Sequence, residues 1–153
     1  MRGKQMMTED PEMYRKIISV AESRLKYRED AAKKIQILKE AFALIPEPVE
    51  QWEDPTAYIA NNLCVEYHVL GKNEEAIKWG ELAVKAREEM PDTGVFVNLG
   101  IAYYAHNDLD KALHYFDQAY NTRNAKNRAF LGYEPVYFDF YRERKGIKIK
   151  KKK

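Results

Sequence analysis

The side chains of this 153-residue chain that could do chemistry are few and scattered. Its three histidines, His68, His106 and His114, include no pair at the i, i+4 spacing that places two imidazoles on one helix face for a metal ion. Cys64 is the single cysteine. It falls at a small-residue position of a helical pattern, where a packed, inert thiol is expected rather than a nucleophile. Asp108 and Asp110 suggest a paired-carboxylate site, but they stand at the entry of a helix, where capping and the macrodipole favour acids without any reaction. No glycine-rich phosphate loop, Ser-His-Asp order or cysteine cluster is present. The expectation is a protein with no catalytic residue, no metal and no cofactor.

What remains is charge. Of the 26 basic residues, six are lysines between positions 145 and 153, where no acid occurs, which leaves 20 basic against 24 acidic residues in the rest. A body of about −4 therefore carries a basic tail. One reading of the tail is nucleic-acid binding, with lysines on phosphates and tyrosines stacking on bases. It predicts steeply salt-dependent retention on RNA that vanishes when residues 145–153 are deleted. The plainer reading is a solvated, disordered tail, since it has no interleaved aromatics or arginines. Such a tail can still steer an acidic partner.

Composition bounds the rest. The length suits one domain with a real apolar core, and 45% hydrophobic with 33% charged residues is a soluble globular balance. Eleven tyrosines with only 7 Gly and 6 Pro suit helices joined by short turns better than a β-sandwich. No apolar run reaches the roughly 20 residues that span a bilayer. Residues 1–11 are polar and lack a signal core, and a single cysteine fits a reducing compartment. A cytoplasmic protein is expected.

An internal repeat organises the chain. Leu63, Tyr67, Gly71, Ala76 and Ala83 align at one constant offset with Leu99, Tyr103, Asn107, Ala112 and Ala119. Each unit reads as a helical hairpin: Phe96, Leu99, Tyr103, then Leu109, Ala112, Leu113, Phe116, Ala119 and Tyr120 recur at three- and four-residue spacing. A degenerate unit precedes them, with Tyr14, Ile17, Ile18, Ala21 and Leu25 on one face and then Ile35, Leu38, Ala41, Phe42 and Leu44. Residues 46–55, with three prolines, read as an extended linker. Periodicity is lost after Asn121 until Val136, Tyr137, Phe140 and Tyr141 mark a short aromatic helix able to cap the array. The expected layout is a flexible stretch over 1–10, one all-α domain over 11–144, and a basic disordered tail over 145–153. The domain comprises helical hairpins at about 11–45, 56–90 and 93–121 and a capping helix at 134–144. Strand content should be close to nil.

On these letters the second and third hairpins resemble the tetratricopeptide repeat (TPR) family. The third matches at Leu99, Gly100, Tyr103, Ala112, Phe116 and Ala119. The second departs with Cys64 for the small glycine and Gly80 for the large aromatic; either Trp79, one position earlier, compensates or the helix pair is looser there. The resemblance implies a TPR-like solenoid, a short right-handed superhelix in which the first helix of each hairpin lines a concave groove. Its groove positions would be Tyr58, Asn61, Asn62, Val65, His68 and Val69, then Asn98, Ile101 and Tyr104. Asn62 and Asn98 would be free to bond a peptide backbone, and the lack of Lys or Arg at these positions argues against a carboxylate clamp. Secondary contacts would be Tyr137, Tyr141 and Trp52, the last as either a clamp on the linker or an exposed anchor.

The layout is similar to a group of small bacterial repeat proteins encoded beside secreted polymorphic toxins. The similarity rests on residues 43–48, Trp52-Glu53, two repeats, and a closing Ala119-Tyr120 with residues 137–140. It implies an immunity protein that binds a cognate toxin. The alternative is a TPR scaffold or adaptor holding an extended peptide in the groove. In either case the partner is another protein or a peptide, and end-to-end homodimers are conceivable for stacked repeats.

Overall fold

The computed structural model describes residues 3–148. They form an all-α protein whose eight α-helices pack chiefly on their chain neighbours. These are α1 (Met6–Glu9), α2 (Pro11–Glu22), α3 (Ala31–Ala43), α4 (Glu53–Val69), α5 (Asn73–Ala86), α6 (Thr93–Ala105), α7 (Leu109–Asn121) and α8 (Pro135–Lys145). Three consecutive hairpins, α2/α3, α4/α5 and α6/α7, make a helical-hairpin solenoid. Because α2 touches α4 and α4 touches α6, the first helices of the hairpins share one face. The only strand-like pairing among the described residues is an isolated bridge between Lys4 and Trp52. Among them, too, no helix is long and apolar enough to cross a membrane.

Local chemistry explains the helix starts. Asp10, Asp30, Asp92 and Asp108 each accept a backbone N–H from two or three residues on, satisfying donors that the first turn leaves orphaned. Asp108 is thus a cap, with Asp110 beside it in the first turn. The turns between paired helices repeat as closely as the sequence does. Gly71 and Asn107 both adopt positive φ. The Lys72 amide bonds Tyr67 O as the Asp108 amide bonds Tyr103 O, each at 2.9 Å, which is a Schellman closure in both hairpins.

The repeat letters share burial as well. Leu63 and Leu99, Ala76 and Ala112, and Ala83 and Ala119 are all fully enclosed. At the departing pair, size has been exchanged between partners. A Cβ on Gly100 would meet the Phe116 ring at 2.5 Å, so the small residue sits on the first helix and the large one on the second. At the equivalent pair Cys64 is the larger and Gly80 the smaller, with Leu99 Cδ1 2.8 Å from where a Gly80 Cβ would stand. Leu99 of the next hairpin fills that space. Trp79 does not compensate: it packs edge-on against Phe42 of α3, with ring centroids 5.0 Å apart.

Four expectations are corrected. Residues 3–9 are not a flexible lead-in. Met6 is fully buried, and the Met6 and Met7 amides donate to the Asp54 carboxylate at 2.7 and 2.8 Å. The proline-rich linker is shorter than expected, because α4 begins at Glu53 with Pro55 in its first turn, where a missing N–H costs nothing. Glu53, Asp54 and Thr56 are buried there, and the Thr56 hydroxyl donates to Val49 O at 2.8 Å. Lys145 belongs to α8 and pairs with Asp117 at 3.3 Å; of the basic tail, residues 149–153 lie outside the described residues. Finally, Leu25 is 61% exposed while Arg24 is buried. The chain tightens into a 3-10 helix over Ser23–Tyr27, and three residues per turn bring position 24, not 25, beneath Ala21.

Between α7 and α8 the aperiodic stretch is packed rather than loose. Two apolar cores result, a first mainly under α1 to α5 and a second on α6 to α8; two 3-10 turns, Thr122–Asn124 and Lys126–Phe130, carry Ala129 and Phe130 into the second, where Phe130 meets Phe116, Phe138 and Tyr141.

Candidate functional site

The shared face of α2, α4 and α6 is where the contact residues were expected. Most of its polar groups turn out to bond one another. Arg24 donates to Tyr58 Oη at 3.2 Å and to Asn62 Oδ1 at 3.0 Å, while Asn62 Nδ2 donates to Tyr58 O. The Asn98 amide donates to Asn61 Oδ1 at 2.9 Å. Tyr58 and Asn62 therefore join the first hairpin to the second, and Asn61 and Asn98 join the second to the third. Of the amides expected to meet a peptide backbone, Asn62 is occupied at both ends within the fold and Asn98 through its nitrogen. Arg24 was not among the sequence candidates, since the 3.6-residue pattern assigned its neighbour to the inner face.

Other candidates divide. Tyr104 is half-buried, edge-on to Tyr137 and Phe140 with centroids 5.5 and 5.2 Å away. Tyr141 is 1% exposed and cannot be a contact residue; its hydroxyl donates to Asp117 Oδ1 at 2.7 Å, docking α8 on α7. Trp52 is half-buried against the first core with its backbone bridged to Lys4, the arrangement of a clamp rather than an exposed anchor. Val69 stands 64% exposed.

The remaining candidates surround one cavity. Val65 and His68 of α4 with Asn98 and Ile101 of α6 form one wall; Gly132, Tyr133, Glu134 and Tyr137 form the other. Its volume is about 230 Å³ and it opens to solvent. The C-terminal stretch thus folds back over the inner face and narrows the groove to a pocket. Gly132, at φ +85°, makes the bend that brings Tyr133 across. Three exposed apolar residues adjoin lining residues in the chain: Val69 next to His68, Leu131 next to Gly132, and Val136 next to Tyr137, at 64, 73 and 43% exposure. Gly132 carried no sequence signal of this role; Tyr133 was marked only by the aromatic cluster it forms with residues 137–141, and Glu134 only as the start of the capping helix.

Burial lowers the His68 pKa below its ordinary value, the nearby Glu134 opposing it, so the imidazole is neutral at pH 7. Its Nδ1 is enclosed and has no hydrogen-bond partner. Burial raises the Tyr133 phenol, helped by Asp92, and the Tyr137 phenol, helped by Glu134. Glu134 is exposed at the N-cap position of α8 yet makes no capping bond. Burial pushes the Cys64 thiol up to about 12, which removes it as a nucleophile near neutrality. Among the described residues, no group of three His, Cys, Asp or Glu side chains is placed to hold a metal ion. In comparisons with known proteins, no family model, no curated protein and no solved structure matches this chain.

Proposed function

We propose that this chain is a non-catalytic protein-binding module, with α4 to α7 as two tetratricopeptide repeats, and that it serves as an immunity protein neutralising a cognate toxin by direct binding. The observation that carries the binding reading is the solvent-open cavity on the inner face, with the exposed Val69, Leu131 and Val136 each next in the chain to a lining residue. Apolar groups left in water around a concave, partly polar pocket are the anatomy of a protein contact. The occupied amides weigh against an extended peptide held through its backbone, and so favour a folded partner over the adaptor alternative. The toxin assignment rests on the similarity of layout to small immunity proteins.

Co-expression with the toxin encoded beside it tests the proposal. Protection of the cells and a stoichiometric complex on gel filtration are expected; continued toxicity with no complex overturns it. Val69→Asp and Leu131→Asp should abolish the complex. Should Asn62→Ala, Asn98→Ala and Tyr104→Ala instead abolish binding of an extended peptide while helicity is kept, the adaptor alternative holds.

A further inference from the structure

We propose that the inner-face cavity receives an arginine side chain presented by the partner protein. This rests on the protein-binding reading above and names the chemistry of that site. Among the described residues, Glu134 is the only formally charged one lining the cavity. Among the described residues, the groups that bear electrostatically on His68, Tyr133 and Tyr137 include the acids Asp92 and Glu134 and no cation. The Glu134 carboxylate makes no hydrogen bond or ion pair among the described residues, although it occupies a helix N-cap, where a carboxylate commonly bonds an amide. Its charge is thus available to a ligand. The walls supply the rest: Tyr133 and Tyr137 bring aromatic rings, on which a planar cation stacks favourably, and Val65 and Ile101 bring apolar side chains to match an aliphatic stem. His68 is neutral and adds no competing charge, and its enclosed Nδ1 has no partner. Arginine fits this set better than lysine, because guanidinium is weakly hydrated, planar and able to stack while it bonds a carboxylate. The acidic body favours approach of a basic surface.

The test is an NMR titration of the full chain with the blocked tripeptide acetyl-Gly-Arg-Gly-amide and with its citrulline counterpart, which keeps the shape and loses the charge. Saturable shifts at Val65, His68, Ile101 and Gly132 are expected with the arginine peptide. The citrulline peptide should bind about fivefold or more weakly, and Glu134→Gln should reduce arginine binding to the citrulline level. Equal affinity for the two peptides, or indifference to Glu134→Gln, overturns the proposal. Truncation after residue 148 separates another source of cations. If the cavity signals move on truncation alone, the cavity holds the chain's own lysines and the proposal falls. In the toxin complex, Glu134→Gln should weaken association, and increasingly so at low salt. If Val69→Asp breaks that complex while Glu134→Gln leaves it unchanged, the interface stands and the arginine assignment falls. Indifference to both variants removes the interface itself.

Discussion

At the scale of single residues, two positions show how size and charge are matched. Gly100 lies in a helix interior, where alanine ordinarily gains about 0.5–1 kcal/mol by restricting the unfolded chain. Here a Cβ would meet the Phe116 ring at 2.5 and 2.6 Å. Overpacking of that kind costs about 1–3 kcal/mol, so the clash wins and Gly100→Ala should lower the urea midpoint without changing the slope. Asp117 bonds the Tyr141 hydroxyl and pairs with Lys145. Burial by itself would raise its pKa; the bonds from Tyr141 and Lys145 outweigh burial and hold it below the ordinary value. The unfolded chain therefore binds that proton more readily. The stabilisation is whole above the usual carboxylate pKa of about 4 and is lost as pH falls through the lower folded value. Asp117→Asn should then differ from the parent in thermal stability at about pH 6, with the gap narrowing as pH falls below about 4. Tyr141→Phe should cost about 1–2 kcal/mol by loss of a bond to a charged acceptor.

At the scale of elements, the helices that repeat were legible and the pieces that close them were not. Leu63, Tyr67, Ala76 and their equivalents announce α4 to α7 because 3.6-residue periodicity and the constant offset reinforce each other. The lead-in before α2 gave no such signal: residues 3–9 contain too few apolar positions for a period, and their placement depends on Asp54, far away in the chain. The same holds for residues 122–134, where 3-10 turns and residues at positive φ break any pattern before Phe130 and Tyr133 reach the core and the cavity. The site was thus half legible. Val65, His68 and Ile101 followed from register and Tyr137 from the aromatic run of the capping helix, but the fate of the asparagines depended on Arg24, which a 3-10 turn moved into their reach. A prediction belongs to this scale. Met6 is fully enclosed, so Met6→Ala should destabilise by about 2–4 kcal/mol and speed amide exchange at the start of α4. A loose lead-in would show no change.

At the scale of the whole molecule, three hairpins, a folded-back C-terminal stretch and α8 enclose two cores and line the inner-face cavity. Val69→Asp should leave the melting temperature within about 0.5 kcal/mol equivalent, since Val69 is in water, while removing partner binding. Loss of both would mark it as structural. The bonds from Arg24 to Asn62 and from Asn61 to Asn98 have a mechanical consequence. A stack of hairpins bends by opening and closing the spacing between neighbouring inner helices, much as a coil spring does. Both junctions here carry a polar tie across that spacing, so the array should be stiff against flexing. A partner would then meet a surface of fixed curvature and lose little freedom of the array on docking, which speaks for association by fit rather than by wrapping.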